Sequence, residues 1–251
     1  MAKQTTGKLG GALVVKMALV VGAILLLLGW WFEDSLPAAA VLTMPSRSEP
    51  VQQSRPPEHW LSQVQGVDYQ VEAVADYEIS GLVVSGLRTD AWFARHEGWN
   101  EFFNVMDVCM VWGKNAQDGA YEKMAFHSGQ WTCYAQTSDG SVNRSEYWHS
   151  LSNTHMVTDD AQLAKRIRDV RIGDQVHFRG QLVNYSHGGR TRTSSLRRDD
   201  DGNGACEILY VTEMQVLAPA AKWPRWLWWL GILCWVAAVW VFVRTPHRES
   251  A

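Results

Sequence analysis

Met17 to Phe32 reads MALVVGAILLLLGWWF, sixteen residues without a charge, and this run decides the architecture of the chain. A bilayer core of about 30 Å takes about 20 helical residues at about 1.5 Å each. Lys16 can extend its ammonium toward the headgroups, so the apolar span can begin near Gly11. Trp30 and Trp31 close the run as an aromatic belt does. A second run, Trp226 to Val243, lies between Arg225 and Arg244, with Trp226, Trp228 and Trp229 gathered at one end. A helix apolar on every face is not the surface helix of a soluble domain. Two transmembrane helices are therefore expected, at 17–32 and 226–243, with tails at 1–16 and 244–251.

Charge sets the expected orientation. Lys3, Lys8 and Lys16 precede the first helix, while Glu33 and Asp34 follow it. The positive-inside rule then puts the N-terminus in the cytoplasm, and two spans put the C-terminus there too. In a bacterium the expected localisation is the inner membrane with the central domain in the periplasm. The alternative is a cleaved signal peptide, with Ala38-Ala39-Ala40 as the small-residue site and a mature chain starting near Val41. The net charge is −3 for the whole chain. Setting aside the tails leaves the middle near about −7, which argues against nonspecific nucleic-acid binding.

Residues 33–58 carry Pro37, Pro45, Pro50, Pro56 and Pro57 and read as a linker, with an extracytoplasmic domain at 59–222. Tyr69, Val71, Ala73, Ala75, Tyr77 and Ile79 alternate with polar residues, which predicts a half-buried strand. FFNVMDVCMVW at 102–112 is apolar enough to be buried, as helix or as strand. Gln130 to Gln136 reads as a strand. The segment 159–170 reads as a helix capped by Asp159 or Thr158, with Leu163, Ile167 and Val170 on one face. Val176, Phe178, Gly180 and Leu182 share one strand face, and Ile208, Tyr210, Thr212, Met214 and Val216 another. The expected class is an α+β or mainly β domain, in one form a small barrel of the oligonucleotide/oligosaccharide-binding (OB) type, flanked by the two helices.

Four short runs carry a resemblance. They are Asp107-Val108-Cys109-Met110-Val111-Trp112-Gly113, Ser152-Asn153-Thr154-His155-Met156, and Gly173-Asp174-Gln175-Val176 with Gly180-Gln181-Leu182-Val183. The fourth is Ser194-Ser195-Leu196-Arg197-Arg198-Asp199 with Gly204-Ala205-Cys206-Glu207. Together, over about residues 100–212, the set resembles a family of bacterial membrane-associated proteins without an assigned activity. It implies a shared domain and no mechanism.

Candidate chemistry starts from the cysteines. Cys234 lies inside the second apolar run, as a small apolar residue would. Cys109, Cys133 and Cys206 lie in the domain, where an oxidising compartment permits one disulfide; Cys109–Cys133 is the first choice and three buried thiols the alternative. Cys206, after a Gly-rich turn, is a candidate nucleophile with His155 or His187 as base and Glu207 or Asp199 as orienter. Asp199, Asp201 and Asn203 match the opening of a calcium loop, but Tyr210 stands where the bidentate Glu belongs. A polar turn explains the same residues. Arg190, Arg192, Arg197 and Arg198 suit anionic ligands, with Asp199-Asp200-Asp201 beside them to neutralise them. Asn153, next to His155, joins the candidate ligand-binding residues. No glycine-rich phosphate loop or dinucleotide fingerprint occurs, so no cofactor is implied.

The leading expectation is a bilayer-anchored, non-enzymatic protein whose domain binds a partner or supports an envelope complex. Its partners would be the lipid bilayer and other envelope proteins. The alternatives are an envelope hydrolase or transferase built on Cys206, and an ion or anionic-ligand sensor built on residues 190–207.

Overall fold

The computed structural model describes residues 5–197 and 206–244, which form two units: the terminal helices, and the region Leu36–Ala220. Helix α1 runs Thr5–Phe32. The spans Leu13–Phe32 and Trp223–Arg244 are long and apolar enough to cross a membrane, which fits a membrane protein with a central domain.

The central region is mixed α and β. Strand β1 is Val51–Val64, β2 is Val67–Arg88 and β3 is Asn104–Val111. Helix α2 (Gly113–Asp118) leads to the hairpin β4 (Ala125–Gly129) and β5 (Thr132–Gln136). Helix α3 (Ser145–Trp148), strand β6 (Leu151–Val157) and helix α4 (Ala161–Arg168) follow. Strands β7 (Gln175–His187), β8 (Arg190–Arg192) and β9 (Glu207–Ala218) complete it, and helix α5 (Trp223–Arg244) ends the described chain.

Seven strands form one sheet in the order β1-β2-β3-β6-β9-β7-β8, and β2 also pairs with β7. The pairings β2–β3–β6–β9–β7–β2 therefore run in a ring. All are antiparallel except β6 with β9. Val108, Met110, Ile79, Phe178, Leu182, Leu209 and Val211 pack together, under Leu163 and Ile167 of α4. A single side chain of this kind, fully buried, contributes about 1.5–3 kcal/mol.

Several local expectations need amending. The Pro-rich stretch read as a linker to residue 58 is in the sheet from Val51. It can be, because β1 lies at the sheet edge and its register shifts between Ser54 and Glu58, where Pro56 and Pro57 have no ladder bond to donate. Residues 102–112 are settled as a strand, every position of β3 being buried. Helix α4 is capped by Asp160 rather than by Asp159 or Thr158: its carboxylate accepts from Gln162 N at 2.7 Å and Leu163 N at 3.0 Å. In β9 the inward residues are Leu209 and Val211, then Met214, instead of a single alternation from Ile208. The reason is a bulge: Arg179 faces Glu213 while Gly180 faces Val211. A side chain at Gly180 would collide with the Tyr210 carbonyl.

Within the helical unit, α1 and α5 meet through small residues. A Cβ on Gly29 would lie 3.0 Å from the Pro224 carbonyl, and one on Gly231 would lie 2.9 Å from the Gly22 carbonyl. Phe32 and Trp223 pack at 5.0 Å between centroids. In lipid, where no hydrophobic force drives helices together, such close backbone approach supplies the packing. Gly231→Leu is expected to cost about 1–3 kcal/mol of helix pairing by overpacking. The check is spin–spin broadening between nitroxides at positions 14 and 243 in vesicles, which should fall to the singly labelled level. Unchanged broadening would refute the small-residue contact.

Candidate functional site

Strand β3 alternates. Val108 and Met110 face the main core, while Cys109 and Val111 face a second cluster with Cys133, Phe126 and Tyr121. Asp107 shares the parity of Cys109, so it lies on this second face. It is wholly buried, at 0% exposure. An isolated carboxylate there would be prohibitively costly. His155 stands directly opposite it in the β3–β6 register, and the two meet at 2.6 Å between His155 Nδ1 and Asp107 Oδ1. Asn104 Nδ2 donates to the same oxygen at 2.7 Å.

Because Nδ1 is taken by Asp107, Nε2 is the His155 nitrogen left for another partner. Cys206, one residue before β9, lies close enough to His155 to act on its imidazole electrostatically. Its Sγ also lies 3.7 Å from Asn153 Nδ2 and 3.8 Å from the Trp131 carbonyl oxygen. Three neighbouring strands thus bring a thiol, an imidazole and a carboxylate into line, with a side-chain amide beside the sulfur. Burial opposes charge on His155, but Asp107 and then Cys206 outweigh it and hold the imidazole at about 10. Burial likewise opposes charge on Asp107, and His155 and Asn104 overcome it, lowering its carboxyl below the ordinary value. The pair is ionic at neutral pH.

Around this centre sits a ring of aromatic and charged groups. Trp131 packs against His96 at 4.4 Å and His155 at 5.3 Å between centroids, under the Arg192 guanidinium at 4.4 Å. His96 is buried, and neither ring nitrogen meets a hydrogen-bond partner among the described residues. Burial lowers its titration, so it is neutral there. Glu101, also buried, accepts from Arg192 at 3.0 and 3.1 Å and from the Tyr185 hydroxyl at 2.8 Å. Comparison of the chain with protein-family models, curated proteins and solved structures finds no match.

The residues singled out in the sequence separate clearly here. Cys206, His155 and Asn153 come together. His187 does not join them: its Nε2 lies 2.9 Å from Glu101 Oε1, off the line of a hydrogen bond, and its ring packs on Tyr69 at 4.9 Å. Glu207 is buried at the start of β9, and the carboxylate bonded to His155 is Asp107 instead. Arg190 donates to the Trp99 carbonyl at 3.2 Å, and Arg192 is held by Glu101, so both are engaged within the protein. Arg197 is exposed. Arg198, Asp199, Asp201 and Asn203 lie outside the described residues. Among the described residues no group of three His, Cys, Asp or Glu side chains is arranged to hold a metal ion. Cys109 and Cys133 form a disulfide across 24 residues, and Cys206 and Cys234 are free thiols.

Asp107, Glu101, His96 and Trp131 are the participants sequence reasoning missed. Asp107 did leave a signal: it is an acid in the apolar run 102–112, and a buried acid requires a partner. The others left none.

The pair makes stability depend on pH from both sides. His155 is held above its ordinary 6.5, so its contribution is full below that value and lost as pH rises through about 10. Asp107 is held below its ordinary 3.8, so its contribution is present above that value and lost on acidification. Asp107→Asn is expected to cost about 3–5 kcal/mol at neutral pH, because it strands a buried imidazolium. It should also flatten the alkaline loss. Urea melts of both forms from neutral to alkaline pH check this, and parallel pH profiles would contradict it.

Proposed function

We propose that this chain is a membrane-anchored cysteine acyl-transfer enzyme, a hydrolase or transferase. The observation that carries the proposal is the gathering of Cys206, His155 and Asp107, the carboxylate bonded to one nitrogen of the imidazole and the thiol, beside Asn153, close enough to act on that imidazole. This is the nucleophile–base–orienter arrangement of covalent catalysis. The thiolate of Cys206, paired with the His155 imidazolium, attacks a carbonyl carbon. Asn153 Nδ2, beside the sulfur, donates to the oxyanion that develops. The leaving group departs with the proton from His155, leaving a thioester on Cys206. Water or an acceptor hydroxyl or amine then attacks the thioester, giving its proton to His155 as the sulfur leaves, which restores the thiolate–imidazolium pair. Asp107 keeps His155 in the tautomer and orientation both half-reactions need.

Other features support the setting. The Cys109–Cys133 disulfide suits an oxidising compartment. With Lys3, Lys8 and Lys16 before the first helix, this supports the periplasmic side of an inner membrane, both termini cytoplasmic. The ring of five strand pairings, the parallel β6–β9 pair and the placing of α4 between β6 and β7 support an OB-type barrel. The four sequence runs support membership of the bacterial membrane-associated family they resemble. A second reading, partner binding in an envelope complex, draws on Trp92, which is 94% exposed beside the exposed Phe93. Side chains of this kind anchor interfaces.

The test uses p-nitrophenyl acetate on the detergent-solubilised full chain. One equivalent of nitrophenolate and one acetyl group on Cys206, read by mass spectrometry, are expected. Cys206→Ala should abolish both, and His155→Gln should slow acylation by about 10²–10⁴-fold. Acetylation of Cys206 at equal rates with and without His155 would overturn the assignment.

A further inference from the structure

The Cys206 thiol is only partly exposed, and its accepting neighbour is the main-chain oxygen of Trp131. Gly129 pairs with Thr132, so Gln130 and Trp131 form the two-residue turn of the β4–β5 hairpin. Trp131 there has φ of 64°, a region that bulky side chains rarely occupy. Such a conformation persists only where the surroundings enforce it, and it concentrates at functional sites. Here the enforcement is visible. The indole is packed against His96, His155 and Trp99 and lies under Arg192. Two residues on, Cys133 is bonded to Cys109 of the buried strand β3. On the other arm, Ser128 Oγ bonds Ser85 Oγ of β2 at 2.8 Å. Gln130 further ties the tip to the loop at 93–95, through the Phe93 carbonyl and the Arg95 amide.

We propose that Trp131 is the specificity-determining gate of the Cys206 site, fixed over it by the Cys109–Cys133 disulfide. The inference rests on Cys206 being the nucleophile. Among the described residues, His155, Asn153 Nδ2 and the Trp131 carbonyl border Sγ, and the Trp131 indole lies against His155. On this proposal an electrophile enters past the indole edge to meet the sulfur. The acyl donor this admits is slender, a carbonyl carried on a narrow, unbranched chain. Bulky or branched acyl groups are turned away by a hairpin that cannot swing aside while its disulfide is intact.

The test compares two maleimides of the same chemistry and different width, N-methylmaleimide and N-(1-pyrenyl)maleimide. The full chain in detergent, carrying Cys234→Ala so that Cys206 is the free thiol, is reacted with each, and rates are normalised to N-acetylcysteine. The normalised pyrenyl rate should be at least about tenfold below the methyl rate, and Trp131→Gly, which suits the positive φ, should raise it by about tenfold while the methyl rate stays within about threefold. Cys109→Ser with Cys133→Ser should raise the pyrenyl rate in the same direction. A folded Trp131→Gly chain with an unchanged pyrenyl rate overturns the gate. If that variant fails to fold, Trp131→Phe must still raise the pyrenyl rate severalfold, and no rise overturns it. His155→Gln should lower both rates together. If it lowers neither while the gate effect persists, the catalytic reading fails and the gate stands.

Discussion

A carboxylate sealed from water must find a counter-charge, and in this protein that requirement falls on Asp107. Among the described residues its partners are His155 and Asn104, and both come from the same neighbourhood of β3 and β6. The constraint reaches outward from there. The β3–β6 register must set residue 107 opposite residue 155, because a slip of one position would turn His155 to the other face and strand the charge. The parallel β6–β9 pairing then delivers Cys206 to the free side of the same imidazole. Fold and site are two consequences of one register.

The second face of β3 would be an open sheet surface without its cover. The β4–β5 hairpin is too short to be stable alone, since two-stranded ribbons are marginal in water. Its attachment through Cys109–Cys133 and Ser85–Ser128 makes it part of the structure. Closing a loop of 24 residues in this way contributes about 3 kcal/mol by the chain-entropy account. The attachment also packs Trp131 against His155, beside Cys206. The Glu101–Arg192–Tyr185 network adjoins this centre through Arg192, whose guanidinium lies over the Trp131 ring, with His187 packed on the network.

Much was legible in the residues themselves. Both apolar helices could be read because membrane spanning depends on composition over a continuous run. The strands at 69–79 and 175–183 and the helix near 161–168 could be read because their periodicity survives in the packed state. Cys206 and His155 could be named as reactive types. The cap of α4 and the two faces of β9 were misjudged for local reasons: competing acceptors at 158–160, and a bulge whose extra residue changes which side points inward. The edge strand beginning at Val51 was hidden by its prolines, which are tolerated only because that strand lies at the sheet edge.

Sequence alone determined that the chain carries two long apolar runs around a mixed domain, since hydropathy and periodicity are properties of contiguous residues. Only the tertiary structure decided which histidine lies beside Cys206 and which acid is bonded to that histidine. His187 is nineteen residues from Cys206 in the chain and His155 is fifty-one, yet the more distant one is its partner. Asp107 is farther still. Strand pairing, and not sequence separation, sets distances in a sheet, and cross-strand partners sit about 5 Å apart wherever they lie along the chain.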